Sequence, residues 1–231
     1  MHILDTGPIF KFLTTDCAPQ LLLALGNNPI HVPEAVAYEV VDTPTRHTQF
    51  ARTAEVWPRI PERFKVILPD APTDELRELS RSVLKADFDD MYAQTRDRGE
   101  NMAILHAVSL ARKGRTVLVI CDEEEGTSTI LREANKLKLQ QTTGRHTPGG
   151  QIHHADTITL LRWAIEGGGF SSIDAFVKKY NAMASLDSSL PREVKKTGLT
   201  KSPPWPRPSR GWQARNRRRG RRHRWSSKCQ G

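Results

Sequence analysis

The chain has 231 residues and a formal net charge of +9, a length that allows one domain of ordinary size plus an appendage. It holds no run of 18 apolar residues, and its N-terminus lacks a basic segment followed by a long apolar stretch, so we expect neither a membrane span nor a signal peptide. Its three cysteines lie too far apart for a metal-ligand pair or a disulfide framework, which favours a cytoplasmic protein.

The first half of the chain alternates short apolar segments with amphipathic ones. The pattern predicts strands at residues 1–4, 30–32 and 64–68. It predicts helices that begin at Thr6, Pro33 and Thr73, together with a helix near residues 49–56 and one or two more before residue 96. Strands that alternate with helices are typical of a parallel sheet with helices on both faces.

The second half continues this alternation. The clearest helix covers residues 99–112, and an apolar strand at 116–121 has the composition of a central parallel strand. Further on, we expect a helix at 127–137, an edge strand at 139–143, a loop at 144–155, and helices at 156–166 and 173–184. The sequence therefore predicts an α/β fold in three layers, with a central, mostly parallel sheet flanked by helices.

Charge divides the chain into a body and a tail. Residues 1–190 carry 21 Lys and Arg against 25 Asp and Glu, a net charge of −4, whereas residues 191–231 carry 14 against 1, a net charge of +13. The second segment has almost no aliphatic residues, so it cannot bury enough apolar surface to offset the ordering of its backbone. We expect a domain at 1–145, a helical extension at 146–190 and a disordered basic tail at 191–231.

Four acidic residues stand where the pattern predicts burial. Asp5 and Asp122 directly follow the first and fourth strands, and α/β sheets bind ligands at the carboxyl ends of their strands. Glu39 and Glu100 share helix faces with apolar residues. Buried carboxylates repel one another, and a divalent cation would offset that repulsion. Oxygen ligands at irregular spacing are typical of Mg²⁺ or Mn²⁺ and not of zinc.

Each acid also has an ordinary structural interpretation. Asp5 could cap the next helix, Glu39 could pair with an arginine, and Glu100 could favour a helix N-terminus. The run of acids that begins at Asp122 could be a solvated loop. The combination of all four in order is what favours a metal site. Three histidines are expected to have no special role: His106 in a helix, and His153 and His154 in a loop.

These elements resemble those of the PIN-domain nucleases, over roughly residues 1–145. The match is carried by "ILDTGPIFKFL", "IHVPEAVAYEVV", "RGENMAILHAVSLARKG" and "VLVICDEEEG". The resemblance implies that Asp5, Glu39, Glu100 and Asp122 are catalytic acids and that Asp5, Glu100 and Asp122 bind the metal. The run of Glu after the fourth acid, the segment at 144–190 and the basic tail depart from the family pattern.

The resemblance also implies an activity, that of an Mg²⁺- or Mn²⁺-dependent endoribonuclease of the VapC-like class. Members are often the toxin of a type II toxin–antitoxin pair, so RNA, a cognate antitoxin and a second copy of the chain are the implied partners. Metal-activated water would attack a phosphodiester. Thr6 would assist through its hydroxyl, and Glu124 or Glu125 could stand in for a further acid.

Two other functions stay open at this stage. The first is a non-catalytic RNA-binding scaffold of the same fold. The second is a receiver-like phosphoacceptor, although the chain lacks the paired acids after the first strand and the lysine after the last strand that such domains carry.

The basic tail is expected to strengthen RNA binding, because cations displace counterions from phosphates and tryptophans stack on bases. Alternatively, the tail derives from a shifted reading frame and has no selected function. The candidate RNA-binding residues are Arg217, Arg218, Arg219, Arg221, Arg222, Trp205, Trp212 and Trp225.

Overall fold

Five parallel strands form a single sheet. The structure is a computed structural model that describes residues 1–144, 149–201 and 205. Its strand order is β3-β2-β1-β4-β5, and all four pairs are parallel. The predicted α/β class, with a central sheet flanked by helices, is confirmed. The strands are β1 (His2–Leu4), β2 (Ile30–Pro33), β3 (Lys65–Leu68), β4 (Thr116–Ile120) and β5 (Gln151–Ala155).

The helices pack on both faces of the sheet. Side-chain caps begin several of them: Asp5, Thr73 and Asp156 each accept a hydrogen bond from a backbone N–H of the following turn. No helix in the described ranges has the length and apolar character needed to cross a membrane. The helices are α1 (Thr6–Thr14), α2 (Ala18–Ala24), α3 (Glu34–Arg46), α4 (Ala51–Val56), α5 (Asp74–Leu79), α6 (Phe88–Ala93), α7 (Arg98–Arg112), α8 (Glu124–Thr142), α9 (Thr157–Glu166) and α10 (Ile173–Ala184).

The core lies in two layers, one on each face of the sheet. Successive residues of a strand point to opposite faces, so Ile3 packs into one layer and Leu4 into the other. The first layer is built on α7 and the second on α1, α2, α9 and α10. Because β1 and β4 are adjacent central strands, their carboxyl ends lie side by side in the middle of the sheet edge.

Two predictions of secondary structure were wrong. Residues 139–143 were expected to form an edge strand, but α8 continues to Thr142. Lys138 between Leu137 and Leu139 imitates strand alternation, yet Leu137 is buried and Leu139 is 64% exposed on the helix. The true edge strand is β5, inside the expected loop at 144–155.

The packed body extends past the predicted C-terminal boundaries. Within the predicted helical extension, β5 (Gln151–Ala155) belongs to the central sheet. The packed body does not end at residue 190: Leu199 is fully buried, and the Trp205 ring meets the Phe176 ring with centroids 5.9 Å apart. Trp205 Nε1 also donates a hydrogen bond to the Leu199 carbonyl at 2.6 Å. Trp205 therefore serves packing, contrary to the expectation that it is free to stack on bases. The other candidate RNA-binding residues, Arg217, Arg218, Arg219, Arg221, Arg222, Trp212 and Trp225, lie outside the described residues.

Candidate metal centre

The two strand-end acids lie close together, as their positions in the sequence predict. The backbone N–H of Asp5 donates to the Ile120 carbonyl at 2.9 Å, which fixes the end of β1 against the end of β4. The Oδ2 atoms of Asp5 and Asp122 lie 3.7 and 3.9 Å from the position that a Cβ atom on Gly7 would take. Both carboxylates thus face the start of α1.

Glu39 approaches the same edge from α3. Its Oε2 accepts a hydrogen bond from Thr6 Oγ1 at 2.6 Å, so Thr6 fixes the orientation of this acid. Its two carboxylate oxygens lie 3.1 and 3.2 Å from the Cβ position of Gly99. Burial raises the pKa of Glu39, and the hydrogen bond from Thr6 offsets only part of that effect.

Glu100 is the most constrained of the acids. A Cβ atom on Gly126 would lie 1.8 Å from Glu100 Oε1, so the carboxylate occupies space that only a glycine leaves open. That Oε1 atom is buried and has no hydrogen-bond partner. A cavity of about 290 Å³, lined also by Asp97 and Glu125, reaches Glu100. Glu100 Oε1 is therefore a buried acceptor without a donor among the described residues, and Glu100 lines an accessible cavity.

The charges of these acids are not balanced from within. Burial raises the pKa of Asp5 to about 7, and the nearby charges of Glu39 and Glu123 add to the effect. Burial raises the pKa of Glu100 to about 8, with further contributions from Asp5 and Glu123. Within the described residues, no ion pair involves Asp5, Glu39 or Glu100. We call Asp5, Glu39 and Glu100 the open acid cluster.

Asp122 differs from the cluster because all of its charge is already engaged. Its Oδ2 accepts from Lys11 Nζ at 2.9 Å and from Thr157 Oγ1 at 2.6 Å, and its Oδ1 accepts from the Thr157 backbone N–H at 2.7 Å. These contacts tie β4 to α1 and α9. The expected role of Asp122 as an open metal ligand stays a prediction, which this arrangement does not favour.

Lys11 was missed by the sequence reasoning. Its side chain is only 1% exposed, and its Nζ also contacts Asp187 Oδ2 at 2.7 Å. Burial lowers the pKa of Lys11, but the two carboxylates outweigh burial and hold the pKa above its ordinary value. The available signal was a lysine between two phenylalanines, Phe10 and Phe12, in a helix that buries nearly every residue.

The remaining candidates lie apart from the cluster or on the surface. Glu123, Glu124 and Glu125 are exposed where α8 begins, and Glu124 and Glu125 occupy its first turn. The histidines have other partners: His106 Nε2 lies 2.9 Å from Asp70 Oδ1, His154 Nε2 lies 3.1 Å from Thr127 Oγ1, and His153 Nε2 lies 3.1 Å from Gln151 Oε1.

The open acid cluster fits a hard divalent cation in its chemistry. Its donors are all carboxylate oxygens, as Mg²⁺ and Mn²⁺ prefer, and Glu100 Oε1 lacks a partner. Asp5 and Glu100 would hold the ion, with Glu39 beside them. The described residues contain no group of three or more His, Cys, Asp and Glu already arranged around a metal position.

A polar groove opens beside the cluster. It has a volume of about 530 Å³, and Glu39 forms part of its wall. The Arg98 guanidinium lies 5.8 Å from the Tyr38 ring centre and 5.3 Å from the Tyr92 ring centre. Arg98 Nε is buried without a hydrogen-bond partner, whereas Arg46 in the same groove pairs with Asp42. The groove lining comprises Tyr38, Glu39, Asp42, Thr43, Arg46, Thr95, Arg96 and Arg98.

Comparisons of the chain with protein-family models, with curated proteins and with solved structures found no match. The functional interpretation therefore rests on the geometry and charges of the site, together with the sequence resemblance described above.

Proposed function

We propose that the protein is a metal-dependent endoribonuclease. The observation that carries this proposal is the open acid cluster, in which Asp5 and Glu100 are buried with raised pKa values and have no ion-pair partner among the described residues. Buried, unbalanced charge destabilises a fold, and strongly perturbed acids at a sheet edge are typical of functional sites. A divalent cation is the ligand that relieves this cost.

The residues of the cluster divide the work of holding such an ion. Asp5 and Glu100 supply carboxylate ligands, and the Thr6 hydroxyl holds Glu39 in place beside them. Gly126 leaves the room that the Glu100 carboxylate needs. When bound, the ion would lower the pKa of a water molecule and stabilise the charge that develops on a phosphate. The cavity that reaches Glu100 gives water a route to this position.

The polar groove supports single-stranded RNA as the substrate. Among the described residues Arg98 makes no ion pair, which suits its guanidinium to a phosphate, and Tyr38 is 59% exposed, so its ring is available to stack on a base. Both residues stand next to Glu39, so a strand bound there would pass the cluster. The role as a toxin with a cognate antitoxin, the homodimer and the cytoplasmic location are proposed from the resemblance and from composition.

The test is RNA cleavage by the purified full-length protein. Single-stranded RNA should be cut with Mg²⁺ or Mn²⁺ and left intact with excess chelator. Glu100→Gln should reduce the rate by about 100-fold or more, because it removes a ligand charge. The matched control is Glu62→Gln, the same change at an exposed position before β3, which should stay within about twofold of the wild-type rate. Cleavage that persists in chelator would refute the metal-dependent reaction.

A second candidate is the non-catalytic RNA-binding scaffold. The environment of Asp122 favours this candidate. The resemblance assigns Asp122 to the metal, but its carboxylate already accepts hydrogen bonds from Lys11 and Thr157. A scaffold would bind RNA in the same assay without cutting it under any metal condition. The receiver-like alternative gains no support, since the Asp122 side chain is 6% exposed and accepts three hydrogen bonds.

A further inference from the structure

We propose that the site holds a single divalent cation and that Lys11, as a built-in ammonium, takes the place of a second cation at the centre. This inference rests on the proposed function, because it concerns the number of metal ions at the same site. Lys11 is a positioning residue here: it acts on Asp122 and on the charge of the centre, and does not contact the substrate.

The first argument is the position of the ammonium. Lys11 Nζ, Asp5 Oδ2 and Asp122 Oδ2 lie 3.6, 3.7 and 3.9 Å from one point, the position of a Cβ atom on Gly7. The ammonium therefore lies beside both strand-end acids. A metal ion between Asp5 and Asp122 would have to share this space with a like charge.

The second argument is the occupancy of Asp122. A carboxylate has about four lone-pair sites, and three of those on Asp122 accept hydrogen bonds from Lys11 Nζ, Thr157 Oγ1 and the Thr157 backbone N–H. A metal ion at Asp122 would need to displace an ammonium that is 1% exposed and held from its other side by Asp187. Asp122 is thus committed to Lys11.

The third argument is the charge that remains. Once Lys11 is paired with Asp122, the open acid cluster contributes at most three negative charges, and the Glu39 carboxylate is already stabilised by Thr6. One divalent cation offsets two of the three charges and satisfies the unpartnered Glu100 oxygen. A second divalent cation would find no free carboxylate in the open acid cluster to hold it.

The experiment counts bound metal directly, so its readout does not depend on activity. The full-length protein is stripped with chelator, dialysed and titrated with Mn²⁺, and unbound Mn²⁺ is measured by electron paramagnetic resonance. Wild type should bind one Mn²⁺ per chain. Lys11→Met should bind two, because Asp122 then becomes free to take an ion. The control Asp187→Asn removes the outer partner of Lys11 but leaves Asp122 paired, and should still bind one.

A second variant covers the case in which Lys11→Met fails to fold. The double variant Lys11→Met with Asp122→Asn removes both charges at nearly constant shape, and it should bind one Mn²⁺ with a Kd within about threefold of wild type. A loss of affinity of about tenfold or more in this variant would overturn the inference, because Asp122 would then be a ligand of the bound ion.

The outcomes separate this inference from the proposed function. Two Mn²⁺ per wild-type chain, or one in a folded Lys11→Met variant, would overturn the role of Lys11 and leave the metal-dependent nuclease standing. No Mn²⁺ on wild type at millimolar concentration would overturn both.

Discussion

The acids at the carboxyl ends of β1 and β4 have opposite electrostatic environments. Asp5 and Glu100 are buried without an ion pair among the described residues, and the pKa of each acid is well above its ordinary value. Asp122, on the adjacent strand, is fully engaged by Lys11 and Thr157. Position at the sheet edge alone therefore does not make an acid a ligand. What decides is whether the fold itself supplies the balancing charge.

Substitution should expose this difference most strongly in stability. Asp122→Asn leaves the buried Lys11 ammonium with only Asp187, so the free energy of unfolding should fall by about 3 kcal/mol. Asp5→Asn removes repulsion from the open acid cluster, so the free energy of unfolding should stay level or rise by about 1 kcal/mol. Urea unfolding of both variants in the presence of chelator provides the measurement.

The unfolding measurement has a control variant and a result that would contradict the prediction. Thr14→Ser, on the same helix as Lys11 but away from both acids, should change the free energy of unfolding by less than about 0.5 kcal/mol. Equal destabilisation by Asp122→Asn and Asp5→Asn would show that the two acids are in equivalent environments.

The pH dependence of stability should sharpen the comparison. A carboxyl with a raised pKa keeps a proton in the folded state that the unfolded chain has already released, so the metal-free protein should lose stability as the pH rises towards 8. Between pH 6.5 and pH 8.5 we expect a loss of about 2 kcal/mol. Glu100→Gln should remove about two-thirds of that loss, because the higher pKa of Glu100 places most of its titration in this window.

The window above pH 6.5 is chosen because two histidines act in the opposite direction below it. Burial lowers the pKa values of His2 and His31, so protonation of these histidines destabilises the folded state at low pH. This destabilising effect is lost as the pH rises through 6.5. A stability that is flat above pH 6.5 in chelator, or identical slopes for wild type and Glu100→Gln, would contradict the assigned charge states.

The polar groove allows a comparison of the same kind, with a smaller expected effect. Among the described residues Arg98 has no ion pair, whereas Arg46 pairs with Asp42. Arg98→Gln should raise KM for single-stranded RNA by about tenfold with little change in kcat, because a guanidinium whose Nε has no hydrogen-bond partner among the described residues is lost from the substrate path. Arg46→Gln, whose guanidinium already pairs with Asp42, should raise KM by about twofold or less. Equal effects of the two variants would argue against a specific role for Arg98.

Much of the fold could be predicted because its signals are local. The apolar strand β4 and the amphipathic helix α7 lie within two residues of their predicted bounds. Strand β5 escaped because "QIHHA" places only Ile152 and Ala155 in the core, and an edge strand with two histidines has little apolar alternation. Thr127 was expected to begin a helix, but α8 already begins at Glu124.

The site could be predicted in part for the same reason. The order of the four acids marks the sheet edge from sequence alone, and the structure brings Asp5, Glu39 and Glu100 to it. The pairing of Asp122 could not be foreseen, because Lys11 lies 111 residues away and Asp187 lies in a segment after α10 that carries no motif. Such contacts depend on tertiary packing, for which the sequence contains no periodic signal.

The most direct test of the account is to locate the metal. Crystals of the full-length protein would be soaked in MnCl₂, and anomalous scattering would be recorded at the manganese edge. The account predicts one peak bounded by the carboxylates of Asp5 and Glu100, with Lys11 still paired to Asp122. The absence of a peak at the open acid cluster, or a peak seated between Asp122 and a displaced Lys11, would contradict it.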